Sequence, residues 1–331
     1  MWIITVFKLH NWIAALQINN QGDHIRRCLL LFLLLLSVSL NAQAKQLELQ
    51  FGQRYEYYYW SISHLSGTPN IISELTWSEV IINYAQGLVL LPMNGCYNAR
   101  LNFLIGNTTA GETRDSDYGA NNREQEFSRS YLNVSGKVYE FGGEVQCQQQ
   151  LMDSAQVSLY GSVVFGLFAA QQQRRMTEGM QAVSSIDPGF GLAPFSIPDV
   201  GTKFVGLDSY HHSTFAGTYT GLRSEVWLSS VISLQASGLL FLYKFDGDAH
   251  WNLRNLHFTQ QATGFGWQLG VDAVWHVNSD IKLKLSMQQR EFHDRPGDEY
   301  FFTGDDDPGY TIFNGSHWVS SQIGLGLNWR F

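Results

Sequence analysis

The sequence predicts an all-β chain: a transmembrane antiparallel β-barrel of about ten strands, with long extracellular loops and mostly short periplasmic turns. Three observations predict it. Aromatic residues make up 14% of the 331 residues and charged residues only 15%, with 31 Gly and 7 Pro, whereas a soluble domain carries about 25% charge. A leader of the secretory kind stands near the N-terminus. Beyond it, long runs alternate apolar and polar residues with period two, right up to the last residue. That is the pattern of strands with lipid on one face and a polar interior on the other. A formal charge of −8 argues against nucleic acid as the partner.

The leader consists of a basic Arg26-Arg27, an apolar run from Leu29 to Leu36, and the small-x-small triplet Ala42-Gln43-Ala44. Residues 1–44 therefore read as a signal peptide with an over-long basic region, and residues 45–331 as a single barrel domain starting at Lys45. The apolar run is short for a membrane anchor. Cys28 opens that run instead of closing it, which argues against a lipoprotein site. Cys96 and Cys147 remain; an oxidising compartment would let them pair, but their expected places near turns do not favour a bridge.

The last strand is the clearest. Val319, Ile323, Leu325, Leu327, Trp329 and Phe331 alternate with Ser320, Gln322, Gly324, Gly326, Asn328 and Arg330. Phe265, Trp267, Leu269, Val271, Ala273 and Trp275 alternate with Gly266, Gln268, Gly270, Asp272 and His276, broken only at Val274. Ile281, Leu283, Leu285 and Met287 continue after the tight turn Asn278-Ser279-Asp280. Counting such runs places strands near 46–60, 72–90, 97–108, 127–140, 156–176, 203–227, 230–246, 256–277, 280–292 and 317–331. An even number closes without a free edge and leaves both termini on the periplasmic side. Long connections are expected near 61–71, 108–126, 177–202, 247–255 and 293–316, all at the outer mouth.

Two acidic motifs follow outward-running strands. In Asp246-Gly247-Asp248-Ala249-His250, Asp248 and His250 lie two apart, so an extended backbone aims both one way. A carboxylate beside an imidazole fixes its tautomer and supports the imidazolium, which suits general-base work. Asp115-Ser116-Asp117 aims two carboxylates one way as well, and such a pair tends to share a proton.

With these motifs in place the chain resembles the omptins, outer-membrane β-barrel endoproteases of Gram-negative bacteria. The likeness runs through Ser73-Glu74-Leu75-Thr76-Trp77, Asp115-Ser116-Asp117-Tyr118, Gly166-Leu167-Phe168-Ala169, Tyr219-Thr220-Gly221-Leu222 and the Asp246–His250 stretch. The resemblance implies an endopeptidase in the outer membrane with its active site facing outward. Asp248 and His250 would form the acid–histidine couple, and Asp115 and Asp117 the facing pair. Water held between the couples would attack the scissile carbonyl, with no covalent intermediate. Glu56 and Asp246 match the two acids of the family's pocket for the residue before the cut, implying peptide or protein substrates with Arg, then Lys, at that position. No metal or cofactor is implied, but lipopolysaccharide is implied as an activating partner, with Arg175 on its phosphate. The chain departs from the family at Ala249, where a glutamate is usual, and at Gln171 and Gln173, where aromatic and acidic partners of the lipid site are usual. The alternative is a non-catalytic barrel on the same scaffold, an adhesin or a structural protein, since function resides in the site and not in the fold. A small porin is disfavoured because side chains fill so narrow a lumen.

Overall fold

A computed structural model describes residues 46–154, 157–185, 197–303 and 308–331; the expected leader lies outside them. The strands are β1 (Gln46–Ser63), β2 (Ser73–Pro92), β3 (Tyr97–Tyr118), β4 (Glu126–Asp153), β5 (Ser158–Ser184) and β6 (Lys203–Trp227). They continue as β7 (Ile232–Trp251), β8 (Leu256–His276), β9 (Ile281–Asp294), β10 (Gly297–Thr303) and β11 (Gly309–Arg330). From β1 to β8 each pairs antiparallel with the next, and β1 pairs with β11, closing the ring. Both β9 and β10 lie between β8 and β11. They are one ring position interrupted at Arg295-Pro296, where proline cannot donate to the ladder. The ring thus has the ten expected positions.

The strands outrun the expected ones. β3 continues to Tyr118, β4 to Asp153 and β7 to Trp251, so segments expected as loops at 108–126 and 247–255 are mostly strand. The connection after β4 is correspondingly short. Spanning a bilayer takes about 9–11 residues per tilted strand, and β4 has 28. The added length of β4 lies on the side of the termini, beside the turn before β3, whereas that of β3 and β7 projects past the opposite end. There both faces of the wall meet water, so period-two alternation in hydrophobicity fades and the sequence reads as loop.

Outward positions form an apolar belt. Val163, Phe165 and Leu167 on β5, Leu240 and Leu242 on β7, and Leu325 on β11 are all at least 60% exposed. A continuous apolar surface of this kind in water would be an aggregation site; around a closed ring it fits lipid. Inward positions carry the opposite chemistry. Across the middle of the lumen Phe168, Phe215, Tyr243, Phe292 and Trp318 pack ring against ring, with Tyr243 and Phe292 centroids 4.7 Å apart. Beside them lies a buried charge cluster. Glu140 Oε1 accepts from Arg54 Nη1 at 2.6 Å and from Arg290 Nη1 at 3.0 Å. Toward the termini a polar cavity of about 320 Å³ is lined by Glu48, Arg100, Arg223, Asp272 and Lys284 among others. Aromatic packing and ion pairs fill the middle of the lumen, as the narrow ring requires.

Cys96 and Cys147 are bonded to each other, against the sequence expectation. The reason is register: Tyr97 lies directly opposite Cys147, so Cys96, just before β3, comes within 4.8 Å Cα to Cα. The longer β4 brings the second cysteine to that turn, which the shorter strand inferred from sequence could not do.

Candidate functional site

The direction of each side chain follows from the alternation along its strand. On β7 the residues Phe241, Tyr243, Phe245 and Ala249 are buried inside, while Leu240 and Leu242 are exposed to the lipid side. The pairing of β7 with both neighbours runs without a bulge. Asp246, Asp248 and His250 therefore share the outward face with Leu240 and Leu242. Their own contacts agree. Lys244 Nζ pairs with Asp246 Oδ1 at 3.0 Å, both more than 45% exposed. Asp248 Oδ1 meets His257 Nε2 at 2.7 Å, and its Oδ2 lies 3.9 Å from His212 Nδ1. His250 lies beside the Tyr210 ring, 5.9 Å between centroids. An acid–histidine couple does form on the outer wall, but its histidines are His257 and His212 instead of the expected His250.

Asp115 and Asp117 take the inward phase. Asp115 is opposite Leu75 on β2, Thr113 is opposite Trp77, and Leu75 and Trp77 are both core residues. Here the strand has risen ten residues past the lipid-facing Ile105, roughly 30 Å along its axis, so the two acids stand in the protruding cup. A cavity of about 330 Å³ there is lined by Asp115, Ser130, Gln181, Ser209, Trp251 and Arg254, among others. Burial and the neighbouring Asp117 push the Asp115 carboxyl up to about 7, opposed by the Arg254 charge and a hydrogen bond from Trp251. What β7 presents to this cup is Ala249 and Trp251. The structure thus brings Asp115 and Asp117 together and leaves Asp248 and His250 on the other side of the wall. A one-residue difference in phase decides it.

Because the folded Asp115 holds its proton more tightly than an ordinary aspartate does, its contribution to stability is full at low pH and is lost as pH rises from about 4 to about 7. Asp115→Asn, neutral throughout, is expected to raise the urea midpoint at pH 8 and to leave it unchanged near pH 3.5. Equal midpoints at both pH values would remove the buried-acid reading.

The expected pocket for a cationic side chain is also divided. Glu56 does face inward, accepting from Gln172 Nε2 at 3.3 Å and Arg54 Nη1 at 3.4 Å, with Arg174 Nη2 at 3.9 Å. Its charge is already matched by two arginines. Asp246 is outside, so the two acids do not converge on one cation. Arg175 on β5 faces outward, as a lipid-contacting residue would, and its guanidinium grips Asp208, Nη2 to Oδ2 at 2.8 Å.

One inward histidine was not anticipated. His211 is fully buried against Tyr58, Trp60 and Trp77. Its Nδ1 is 3.2 Å from Ser213 Oγ and its Nε2 is 3.4 Å from Gln260 Oε1. Gln260 Nε2 then donates to Glu299 Oε2 at 2.5 Å, and Thr311 Oγ1 donates to Glu299 Oε1 at 3.0 Å. Burial holds His211 well below its usual range and pushes Glu299 up to about 7, so near neutrality the imidazole is uncharged. The adjacent His211-His212 pair was the available signal, but only the phase of β6 says which one points inward. With no exposed surface, His211 cannot touch a substrate.

A family model described as "Pom: Protochlamydia outer membrane protein" matches residues 48–331. The chain belongs to that family. This places it among outer-membrane β-barrels, in keeping with the closed ring and its apolar belt. A comparison with curated protein sequences finds no match. Among solved structures the outer membrane protease OmpT of Escherichia coli is similar, with a TM-score of 0.72 at 12% identity over 88% of this chain and 98% of that one. At that identity the likeness shows the fold alone. The translocator domain of the autotransporter NalP from Neisseria meningitidis covers 94% of this chain at 10% identity, with a TM-score of 0.36.

Proposed function

We propose that this Pom-family barrel acts at the cell surface without catalysis, as a binding or structural barrel whose protruding cup is its working surface. One observation carries the proposal: opposite Asp115, the inward positions of β7 are Ala249 and Trp251. Activating a water between an acid–histidine couple and the Asp115–Asp117 pair needs an imidazole within hydrogen-bond reach of that water. The indole supplies none, and the three outward histidines of this region are separated from Asp115 by the wall. The polar residues Ser128, Ser130, Gln181 and Ser209, together with Arg254 and the Asp115 carboxyl, give the cup hydrogen-bonding capacity suited to holding a polar partner. Outer-membrane lipid, lipopolysaccharide included, is the partner we assign to the outer wall near Arg175, which stands eight residues beyond Leu167 of the apolar belt.

The competing reading is an omptin-type endopeptidase cutting next to basic residues. The inward Asp115–Asp117 pair, with Asp115 able to keep a proton near neutrality, favours it, as does the shared fold. The two readings separate in one assay. The chain, refolded with lipopolysaccharide, is offered a fluorogenic peptide containing Arg-Arg. No cleavage above that of a His250→Ala, Asp115→Ala double variant is expected. Cleavage by the wild type that either single substitution abolishes would restore the endopeptidase and overturn the non-catalytic reading.

A further inference from the structure

A second chemistry-bearing cluster lies on the outer wall, away from the cup. Glu291 and His293 are two apart on β9, and His317 on β11 is directly opposite His293. Directly opposed and i, i+2 positions share one face of a sheet. That face is the outward one, four residues past the exposed Met287 on β9 and six past the exposed Ile323 on β11. The three side chains converge. His293 Nε2 is 2.7 Å and His317 Nε2 is 2.9 Å from the same atom, Glu291 Oε1. The imidazoles are stacked, with centroids 4.2 Å apart and planes 13° from parallel. Flanking rings hold them: Phe265 stacks on His293 at 5.7 Å, and Tyr59 meets His317 edge-on at 5.7 Å. All three partly exposed side chains offer ligand atoms within 4.8 Å of one another.

We infer that Glu291, His293 and His317 form a divalent transition-metal site, zinc being the ion the donor set fits. Two imidazole nitrogens and one carboxylate oxygen are one of the ligand sets of open zinc sites, which leave a further position to solvent or a ligand. Metal–ligand distances of about 2.0–2.1 Å at tetrahedral angles separate neighbouring donors by about 3.3 Å, so from the observed nitrogen–oxygen separations of 2.7 and 2.9 Å the donors part by roughly half an ångström to admit the ion. Small rotations of the rings would open room for the ion. Imidazole donors favour zinc, copper and nickel over magnesium and calcium, which prefer oxygen. The contrast with the neighbouring acid–histidine group is informative. Around Asp248 the second histidine is 3.9 Å away, and among the described residues only the Glu291 group brings three donors together. Because the site faces the edge of the lipid belt, its open position points to the headgroup layer. A bound ion there would offer a Lewis-acidic contact to phosphate or carboxylate groups outside the wall. The inference is independent of what the cup does.

The test is isothermal titration of zinc chloride into the tag-free, EDTA-stripped full chain in detergent near pH 7.5. One equivalent is expected to bind. His293→Ala and His317→Ala should each lower the affinity at least about tenfold, and His257→Ala should leave it unchanged. Thermal unfolding gives a second readout: zinc should raise the midpoint of the wild type and of His257→Ala but not of the two ligand variants. The competing account is that the two ring N–H groups simply share a carboxylate oxygen. It is established, and the site is lost, if wild type takes up no zinc at micromolar concentration or if the ligand variants bind as well as wild type.

Discussion

Glu140→Gln is expected to destabilise the barrel by about 3–5 kcal/mol, the cost of leaving a buried charge uncompensated. Glu140 is 8% exposed and Arg54 is 1% exposed, and both Arg54 and Arg290 donate to the same Glu140 oxygen. Nearby, Glu56 accepts from Arg54 and lies close to Arg174. Three arginines and two glutamates become three and one when Glu140 loses its charge. The glutamine keeps an acceptor, so the hydrogen bonds are replaceable and the loss is mostly electrostatic. Adding Arg290→Gln restores the balance, and the double variant should be less destabilised than the two single effects combined. Urea midpoints of the four proteins in detergent measure this. A Glu140→Gln variant within about 1 kcal/mol of wild type would mean that the cluster contributes only what a surface ion pair does.

Why a lumen should hold such a cluster follows from its neighbours. The aromatic packing of Phe168, Phe215, Tyr243, Phe292 and Trp318 excludes water on one side. Arg290 lies 5.4 Å from the Trp318 ring and 5.7 Å from the Phe292 ring, so ion pairs and aromatics form one continuous plug. The resemblance pointed to Glu56 as an inward acid, but nothing in the sequence singled out Arg54 or Glu140 or said which acid meets which base. They are separated by as many as 236 residues in sequence, as Arg54 and Arg290 are, and their pairing depends on barrel closure.

The same division holds throughout. The belt-spanning parts of β7, β8, β9 and β11 were legible because lipid and lumen impose opposite chemistry on alternate residues. The protruding parts were not, because water on both sides removes that contrast. The candidate site sits in those parts. Asp115 and Asp117 were placed together from their spacing alone, and the structure keeps them together on the inward face. Asp248 and His250 are likewise on one face, as spacing requires, but spacing cannot say which face. Continuing the belt's phase from Leu240 and Leu242 through Lys244 points the whole Asp246, Asp248, His250 series outward. That count was available in the sequence, and it conflicts with what the resemblance implied. Glu291, His293 and His317 escaped notice for another reason: the donors come from two strands, and only the β9–β11 register opposes the two histidines.

The phase of β7 can be tested by two substitutions at adjacent positions with opposite expected outcomes. Ala249 is 1% exposed, directly opposite the buried His211, with Trp60 and Trp77 packed on that imidazole. Ala249→Glu would force a carboxylate into this packed layer. Overpacking and an unpaired buried charge add, and a loss of several kcal/mol is expected, enough to prevent folding in a marginal protein. At the next residue, His250→Glu places the same carboxylate on the partly exposed outer wall beside Tyr210 and His257, where a change of about 0.5 kcal/mol or less is expected. Refolding yield and urea midpoint of the two variants decide between the phases. If His250→Glu fails to fold and Ala249→Glu is tolerated, the strand is turned by one residue. His250 and Asp248 would then face Asp115 across the cup, and an imidazole base would stand within it for a water held there.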